Sequence, residues 1–552
     1  MLETQSVSPT ETKTVAVDTV MPPGYSLVPT VVRTNRERIR AIKANLNLLN
    51  QHIRSIDESF SNLEKRIACF ALLAHCARAL RAMDDLVKKE VKEDKQTAIV
   101  IALEHSRKKV ERFRMHLTRE LEGTTVDRPQ PSDEDGPTAV IAGFGPTGAA
   151  TAVAFLKHKE FKGRVVVISD KYAEFPTRSG NLGLFAMSMY LDTLGISYSS
   201  YEKLKIFFTV RNHVQPSIKH LDIAGRAIYL AYGGKIVQGR VNSYDQMSLS
   251  KDEKHLDLTL NTEEDTIGKT IFNLSCMIMT TGYKAFYPDG MKREQLSSAP
   301  CRKRIKHTQV NVLISSALLL DKLRRLMNRV SLVGFYSNTT RTQSIFFTKV
   351  QLFLFLTTEE NSVLEAVVSQ YHLSAEQKAL LKLKLYVDYL NKGPLDWSGL
   401  MLRDQIKSGK RLCSEYEGAQ LTAPDQKIVA LSAPKTSTED DGEADFKSTT
   451  KTVTTWAGAS AMPSILVNGL FAQQAAIQGI EVANQLVETN FAPGRHGAPI
   501  KAHFDKVTQE MIEKIEQENN KYPDQSKQLK RFLRPLMPRV ETPLCQDSCR
   551  LL

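Results

Sequence analysis

The chain has 552 residues, 42% of them hydrophobic and 24% charged; this composition excludes a collagen, a disulfide scaffold and a wholly disordered chain, and the length leaves room for roughly two to four domains. The formal net charge of +13 and pI of about 9.2 favour acidic partners: nucleic acid, anionic lipid, an acidic protein or a phosphate-bearing cofactor. The seven cysteines are scattered with no CxxC, the usage of a reducing cytosol and not of a cysteine zinc site.

Residues 1–30 are polar and lack a basic start followed by an apolar stretch, so they read as a disordered leader and not as a signal peptide. Residues 31–121 read as a helical hairpin or short coiled coil. Ile39, Ile42, Leu46, Leu49, Ile53, Ile56, Phe60, Leu63 and Ile67 alternate in steps of three and four, which predicts one stripe along one helix. A turn is expected in the charged run Lys88–Lys95, and a second helix over 96–121 through Ile99, Leu103, Val110, Phe113 and Leu117. The stripe over 39–67 either packs inside the chain or offers a seam to a helical partner or a second copy.

Residues 123–137 are a linker of Pro, Gly and acids. An α/β pattern follows. Strands are expected at Thr138–Ala142, Arg164–Ile168, Lys235–Val241, Leu256–Leu260, Cys276–Thr280 and Val330–Val333. Helices are expected at Gly148–Lys157, Val310–Met327, Val363–Leu390 and Leu470–Glu488. No uncharged apolar run reaches the ~18 residues that cross a bilayer; Val350–Leu356 is the longest candidate. Residues 432–452 are polar and acidic and read as a mobile loop, and 500–552 as a charged tail with one helix over 503–520. No nucleic-acid motif with interleaved aromatics occurs, so nucleic acid is not expected as a partner.

Chemistry concentrates in residues 138–170. A strand, Thr138–Ala142, runs into Gly143-Phe-Gly145-Pro-Thr-Gly148 and then into a helix of small residues. Gly143 permits a tight turn off the strand. Gly145 lets backbone approach a pyrophosphate without a Cβ in the way. Gly148, with Ala149 and Ala150, lets the helix lie close on the sheet. The helix N-terminus presents free N–H groups to phosphate. A second strand, Arg164–Ile168, ends at Ser169-Asp170; Asp170 lies 22 residues past Gly148 (170 minus 148), where an acid binds the ribose hydroxyls of an adenosine half. This is the dinucleotide-binding βαβ unit of a Rossmann-type domain.

Three anchors carry a family resemblance. The first is this unit followed by Lys171 through Phe185. The segment is similar to that of FAD-dependent monooxygenases of the aromatic-hydroxylase and MICAL type, in which it runs along the flavin; Arg178 and Asn181 hold the matching places, one residue out of register. The second, Met277-Ile-Met-Thr-Thr-Gly282-Tyr-Lys, resembles the strand that returns over the cofactor, with Gly282 at the close approach and Thr281 where the hydroxylases carry Asp. The third, Trp456-Ala-Gly458-Ala-Ser460 with the helix after it, resembles the element facing the pyrophosphate and flavin. The family Asp that binds the ribityl chain falls at Ala459, leaving Gly458 and Ser460 as the cofactor-binding positions.

The resemblance implies an α/β fold: a Rossmann-type FAD/NAD(P)-binding module over 138–490, with a mixed α+β region inserted at about 296–450, preceded by the helical hairpin. It implies FAD as cofactor, NAD(P)H as a transient electron donor, and an oxidoreductase of monooxygenase type whose substrate is unknown. No side chain stands out as a catalytic acid or base, and no metal site is expected. Ala459 keeps open a non-catalytic scaffold with the same fold, and a plain NAD(P)-binding protein is the third reading.

The last four residues, Cys549-Arg-Leu-Leu, match C-a-a-X with a terminal Leu that favours geranylgeranyl, and Cys545 is a candidate palmitoylation site. Lys527, Lys530, Arg531, Arg534 and Arg539 precede them without an acid among them, a second signal for an anionic membrane surface. The expected localisation is cytoplasmic, with membrane association through this tail if it is prenylated, in a eukaryotic protein or in a bacterial effector acting in a host cell.

Overall fold

The structure, a computed structural model, describes residues 21–25, 30–31, 35–89, 93–125, 136–169, 184–209, 218–242, 246–249, 256–260, 269–281, 293–295, 305–326, 330–342, 345–403, 414–416, 429–431, 453–458, 470–491 and 523–537. In chain order the first half holds β1 (Thr30–Val31), α1 (Asn35–Arg54), α2 (Asn62–Lys89), α3 (Glu93–Glu122), β2 (Thr138–Ala142), α4 (Pro146–Lys157), β3 (Arg164–Ser169), α5 (Leu184–Thr193), α6 (Tyr198–Thr209), α7 (Ile218–Ala231), β4 (Lys235–Gln238), β5 (Met247–Leu249), β6 (Leu256–Leu260) and β7 (Lys269–Met279). The second half holds β8 (Arg293–Gln295), β9 (Ile305–Ile314), α8 (Ala317–Arg325), β10 (Val330–Thr342), β11 (Ile345–Thr357), α9 (Thr358–Val368), α10 (Ala375–Leu390), β12 (Leu400–Arg403), β13 (Ser414–Tyr416), β14 (Val429–Leu431), β15 (Val453–Trp456), α11 (Leu470–Glu488) and α12 (Ser526–Leu533).

The protein is α/β. Its main sheet has the order β4-β3-β2-β7-β6-β5, with β15 on β7. β2 pairs in parallel with β3 and β7, β3 with β4, and β7 with β15. β7 serves two partners along one flank: its start pairs antiparallel with β6, and Cys276–Met279 pair in parallel with β15. All five residues of β2 are buried, as a near-continuous apolar run in a doubly covered parallel sheet should be. α4 packs on β2 and β3 and is flanked by α7 and α11.

Among the described residues the N-terminal helices are three, where a hairpin was expected. The stripe expected over 39–67 breaks between Arg54 and Asn62 because local side chains compete for the backbone there. Asp57 accepts from the Ser59 N–H (2.9 Å), and Ser61 and Glu64 form a reciprocal cap: the Ser61 N–H donates to Glu64 Oε2 (2.8 Å) and the Glu64 N–H to Ser61 Oγ (3.2 Å). Leu46, Leu49, Ile53 and Ile67 of the stripe belong to the core that also contains β2 and α7, and Ile39, Ile42, Ile56, Phe60 and Leu63 pack against it partly buried. Arg66 fastens α2 to it, donating to the carbonyls of Ala231 (2.9 Å) and Thr124 (2.8 Å).

A second core gathers residues from β9, β11 and α8 to α10, together with Leu529 and Leu533 of α12. Its sheet runs β1-β12-β9-β11-β10, with β13 also on β9. Three expectations are corrected here. Val310–Met327 is not one helix: Val312 and Ile314 are buried at a period of two in β9, and α8 starts only after Ser316, whose Oγ caps the Leu319 N–H. Val363–Leu390 is two helices, the second capped by Ser374. Residues 1–30 are not wholly a disordered leader: the Tyr25 hydroxyl donates to buried Asp388 (2.7 Å), and Thr30 and Val31 pair with Leu402 and Arg403. The expected helix over 503–520 and loop over 432–452 lie outside the described residues.

Candidate functional site

The sequence β2–turn–α4 builds the site. Gly143 has φ +102°, and a Cβ there would lie 2.9 Å from the Thr280 backbone, so only glycine fits. Its N–H donates to the Ile168 carbonyl (2.8 Å), which ties the turn to the end of β3. Gly148 is closed in differently: a Cβ would meet the Gly143 carbonyl oxygen at 2.2 Å and Thr280 Oγ1 at 2.7 Å. Gly145 is the opposite case. Nothing lies within 4 Å of the place its Cβ would take. The three glycines thus divide as turn, open face and close packing.

The helix start has no side-chain cap. Gly145 is the N-cap of α4, Pro146 follows it, and no acid lies in the first turn. The leading N–H groups have no partner within the helix and carry the positive end of its dipole. Buried Arg226 of α7 lies beside the loop, its guanidinium 5.0 Å from the Phe144 ring centroid. The Tyr190 hydroxyl donates to the Pro146 carbonyl (2.9 Å); burial first, then Asp222, raises its pKa, so it remains a donor.

The C-terminal element meets this helix. Gly458 has φ +63°, and a Cβ there would come within 2.3 Å of Thr147 Oγ1. Its N–H donates to Oε1 of fully buried Gln478 (2.6 Å). Gly479 lets α11 lie on α4: a Cβ there would be 2.2 Å from Thr151 Oγ1. Gly143, Gly145, Gly148 and Gly458, separated by over three hundred residues of sequence, therefore surround one helix N-terminus. Asp170 follows the last residue of β3 but lies outside the described residues, as do Arg178, Asn181, Gly282, Ala459, Ser460, Cys545 and Cys549.

Sequence reasoning missed Thr280, Gln478 and Gly479. Thr280 locks the end of β7 to the turn, its Oγ1 donating to the carbonyls of Ala142 (3.0 Å) and Gly143 (2.8 Å). The signal for Gly479 was present, a glycine inside an otherwise strong helix former, which marks close packing. Among the described residues no group of three or more His, Cys, Asp or Glu could hold a metal. Cys276 on β7 is fully buried and burial raises its thiol pKa, so it is no nucleophile.

The fold is similar to those of solved flavin enzymes. A tetrameric form of 2-methyl-3-hydroxypyridine-5-carboxylic acid oxygenase aligns at 12% identity and TM-score 0.33, covering 68% of this chain and 88% of that one. PqsL of Pseudomonas aeruginosa aligns at 11% and 0.33, covering 72% and 99%. The flavin-dependent monooxygenase PieE, solved with FAD and substrate, aligns at 10% and 0.36, covering 73% and 71%. No protein-family model and no curated protein matches the chain.

Proposed function

We propose that the chain is a divergent flavoprotein of the Rossmann type, holding FAD at the α4 N-terminus and acting as an oxidoreductase of monooxygenase type. The observation that carries this reading is the open face at Gly145 between two closed glycines, at the mouth of an uncapped helix: a cradle that a Cβ would fill. The residues present fit a diphosphate. The Thr147 and Gly148 N–H groups would bind its oxygens, and Arg226 would favour its charge. Asp170 would take the ribose hydroxyls. By resemblance, Arg178, Asn181, Gly282 and Ser460 would line the rest of the cofactor. Bound FAD supplies the redox chemistry, with NAD(P)H as transient donor; the chain's part is to bind, orient and exclude water.

A second reading has one specific observation in its favour. Ala459 stands where the resemblance calls for Asp, and the N–H of neighbouring Gly458 is already taken by Gln478. A chain that keeps the ADP end and lacks the flavin end would be a non-catalytic scaffold. The absorption spectrum separates the two: the enzyme is yellow and releases FAD, not FMN, on denaturation, whereas the scaffold is colourless and still takes up ADP. Lipidation of Cys549, with Cys545 as a second acylation site, is a separate proposal; an N-terminally tagged Cys549→Ser chain should leave the membrane fraction of eukaryotic cells, and wild-type partitioning of that variant counts against it.

A further inference from the structure

α12 carries a cationic face whose direction is fixed by the fold. Leu529 and Leu533 are buried in the second core, and the Phe532 ring packs edge-on against Tyr389 at 5.7 Å. The entry to the helix is held as well: the Gln525 N–H donates to buried Glu360 (2.9 Å), and the Tyr389 hydroxyl to Gln525 Oε1 (3.1 Å). At the ~100° turn per residue of an α-helix, Lys527 and Arg531 stand opposite the Leu529–Leu533 side and Lys530 lies on its flank. Arg534 continues the row in the turn that follows, and all four are exposed. Residues 526–537 contain no acid. The carboxylates nearby are Asp524, which accepts from Thr357 and Ser526, Glu359 of α9 and buried Glu360, which accepts from the Gln525 N–H.

Lys527 and Lys530 also line a cleft of about 370 Å³, beside Ser526 and the first turn of α9 at Thr358, Glu359 and Ser362. The row is short: eight helical residues rise about 12 Å, too little to follow a polynucleotide backbone through several phosphates. Phe532, the one aromatic in the row, is 37% exposed and packs its ring edge-on against Tyr389, a single ring where stacking along a strand needs several.

We propose that this face docks the folded protein on a membrane through anionic lipid headgroups, with Lys527 and Lys530 seating one headgroup at the cleft. The docking depends neither on the nucleotide site nor on a lipid at Cys549. It sets the orientation of the second core on the bilayer, because the cations ride on a helix clamped to that core.

The test uses the full-length chain carrying Cys549→Ser, so that no isoprenoid contributes, sedimented with vesicles of phosphatidylcholine alone or mixed with phosphatidylserine. The protein should bind only the mixed vesicles, and rising salt should release it. Each basic residue near an anionic surface is worth roughly fivefold in partitioning, so Lys527→Gln with Lys530→Gln should lower binding ~25-fold. Adding Arg531→Gln and Arg534→Gln should lower it by on the order of several hundredfold. The unfolding midpoint should stay at the parent value because the four side chains are exposed, which separates lost docking from lost fold. Equal binding to neutral vesicles, unchanged binding of the fourfold variant, or indifference to vesicles in a protein that binds RNA or soluble glycerophosphoserine would overturn the proposal.

Discussion

Gly148→Ala tests the division of labour among the loop glycines. The new Cβ would stand 2.2 Å from the Gly143 carbonyl oxygen, where ordinary contact begins at 3.4 Å, so the first turn of α4 must retreat by 1.2 Å (3.4 minus 2.2) or the turn must open. Retreat strains the contacts of α4 with Gly458 and Gly479; opening weakens the Thr280 bonds to Ala142 and Gly143. Overpacking of this kind costs about 1–3 kcal/mol. One weakened buried hydrogen bond adds about 1 kcal/mol, and the helix preference of Ala over Gly returns about 1 kcal/mol. The net loss is therefore about 1–3 kcal/mol. Gly145→Ala, at φ −84° with open space around it, should cost less than about 1 kcal/mol, the ordinary effect of Ala at an N-cap. Urea unfolding followed by far-UV circular dichroism measures both. A Gly148→Ala protein as stable as wild type, or a Gly145→Ala protein equally destabilised, would refute the reasoning.

Two further predictions concern the second core. Tyr25→Phe removes a 2.7 Å bond to buried Asp388, worth about 1.5–3 kcal/mol for a charged acceptor, and should speed proteolytic nicking before Asn35; an unchanged cleavage rate counts against the docking of residues 21–25. Burial, opposed by Asp388, holds the Lys384 ammonium at about 8 against an ordinary 10.5. The unfolded chain then binds more protons than the folded one between those values, so stability should rise as pH goes from about 8 to about 10. Lys384→Met should flatten that rise, and an identical pH profile for the variant would contradict it.

The β2–turn–α4–β3 unit was legible because strand, glycine turn and helix follow one another directly in sequence, although what closes on Gly143 and Gly148 includes Thr280 far along the chain; Thr138–Ala142 and Leu470–Glu488 also fall where they were expected. Two helix boundaries were legible and missed. Ser61-Asn-Leu-Glu64 and Thr357-Thr-Glu-Glu360 are reciprocal caps, and reading them would have split the first stripe and started α9. β9 was hidden because a short apolar run reads equally as buried helix or strand. The attachment of Tyr25 to Asp388, 363 residues apart, and of Gln525 to Glu360 has no local signature at all. For the same reason the basic stretch from Lys527 reads as a solvated tail until Leu529 and Leu533 are seen in the core. Gln478 and Thr280 are in that class too, since a lone Gln or Thr in an apolar element gives no hint of which backbone it will hold.

The central claim is that Gly145 faces a dinucleotide. Titrating the purified protein with FAD, following flavin fluorescence and bound stoichiometry, tests it most directly when run beside Gly145→Val. The account predicts saturable binding of one FAD by the wild type and none by a Gly145→Val protein whose circular dichroism and unfolding midpoint are otherwise preserved, because the valine methyls would occupy the phosphate's place. A wild-type chain that binds neither FAD nor ADP, or a folded Gly145→Val protein that binds FAD as the wild type does, would contradict it.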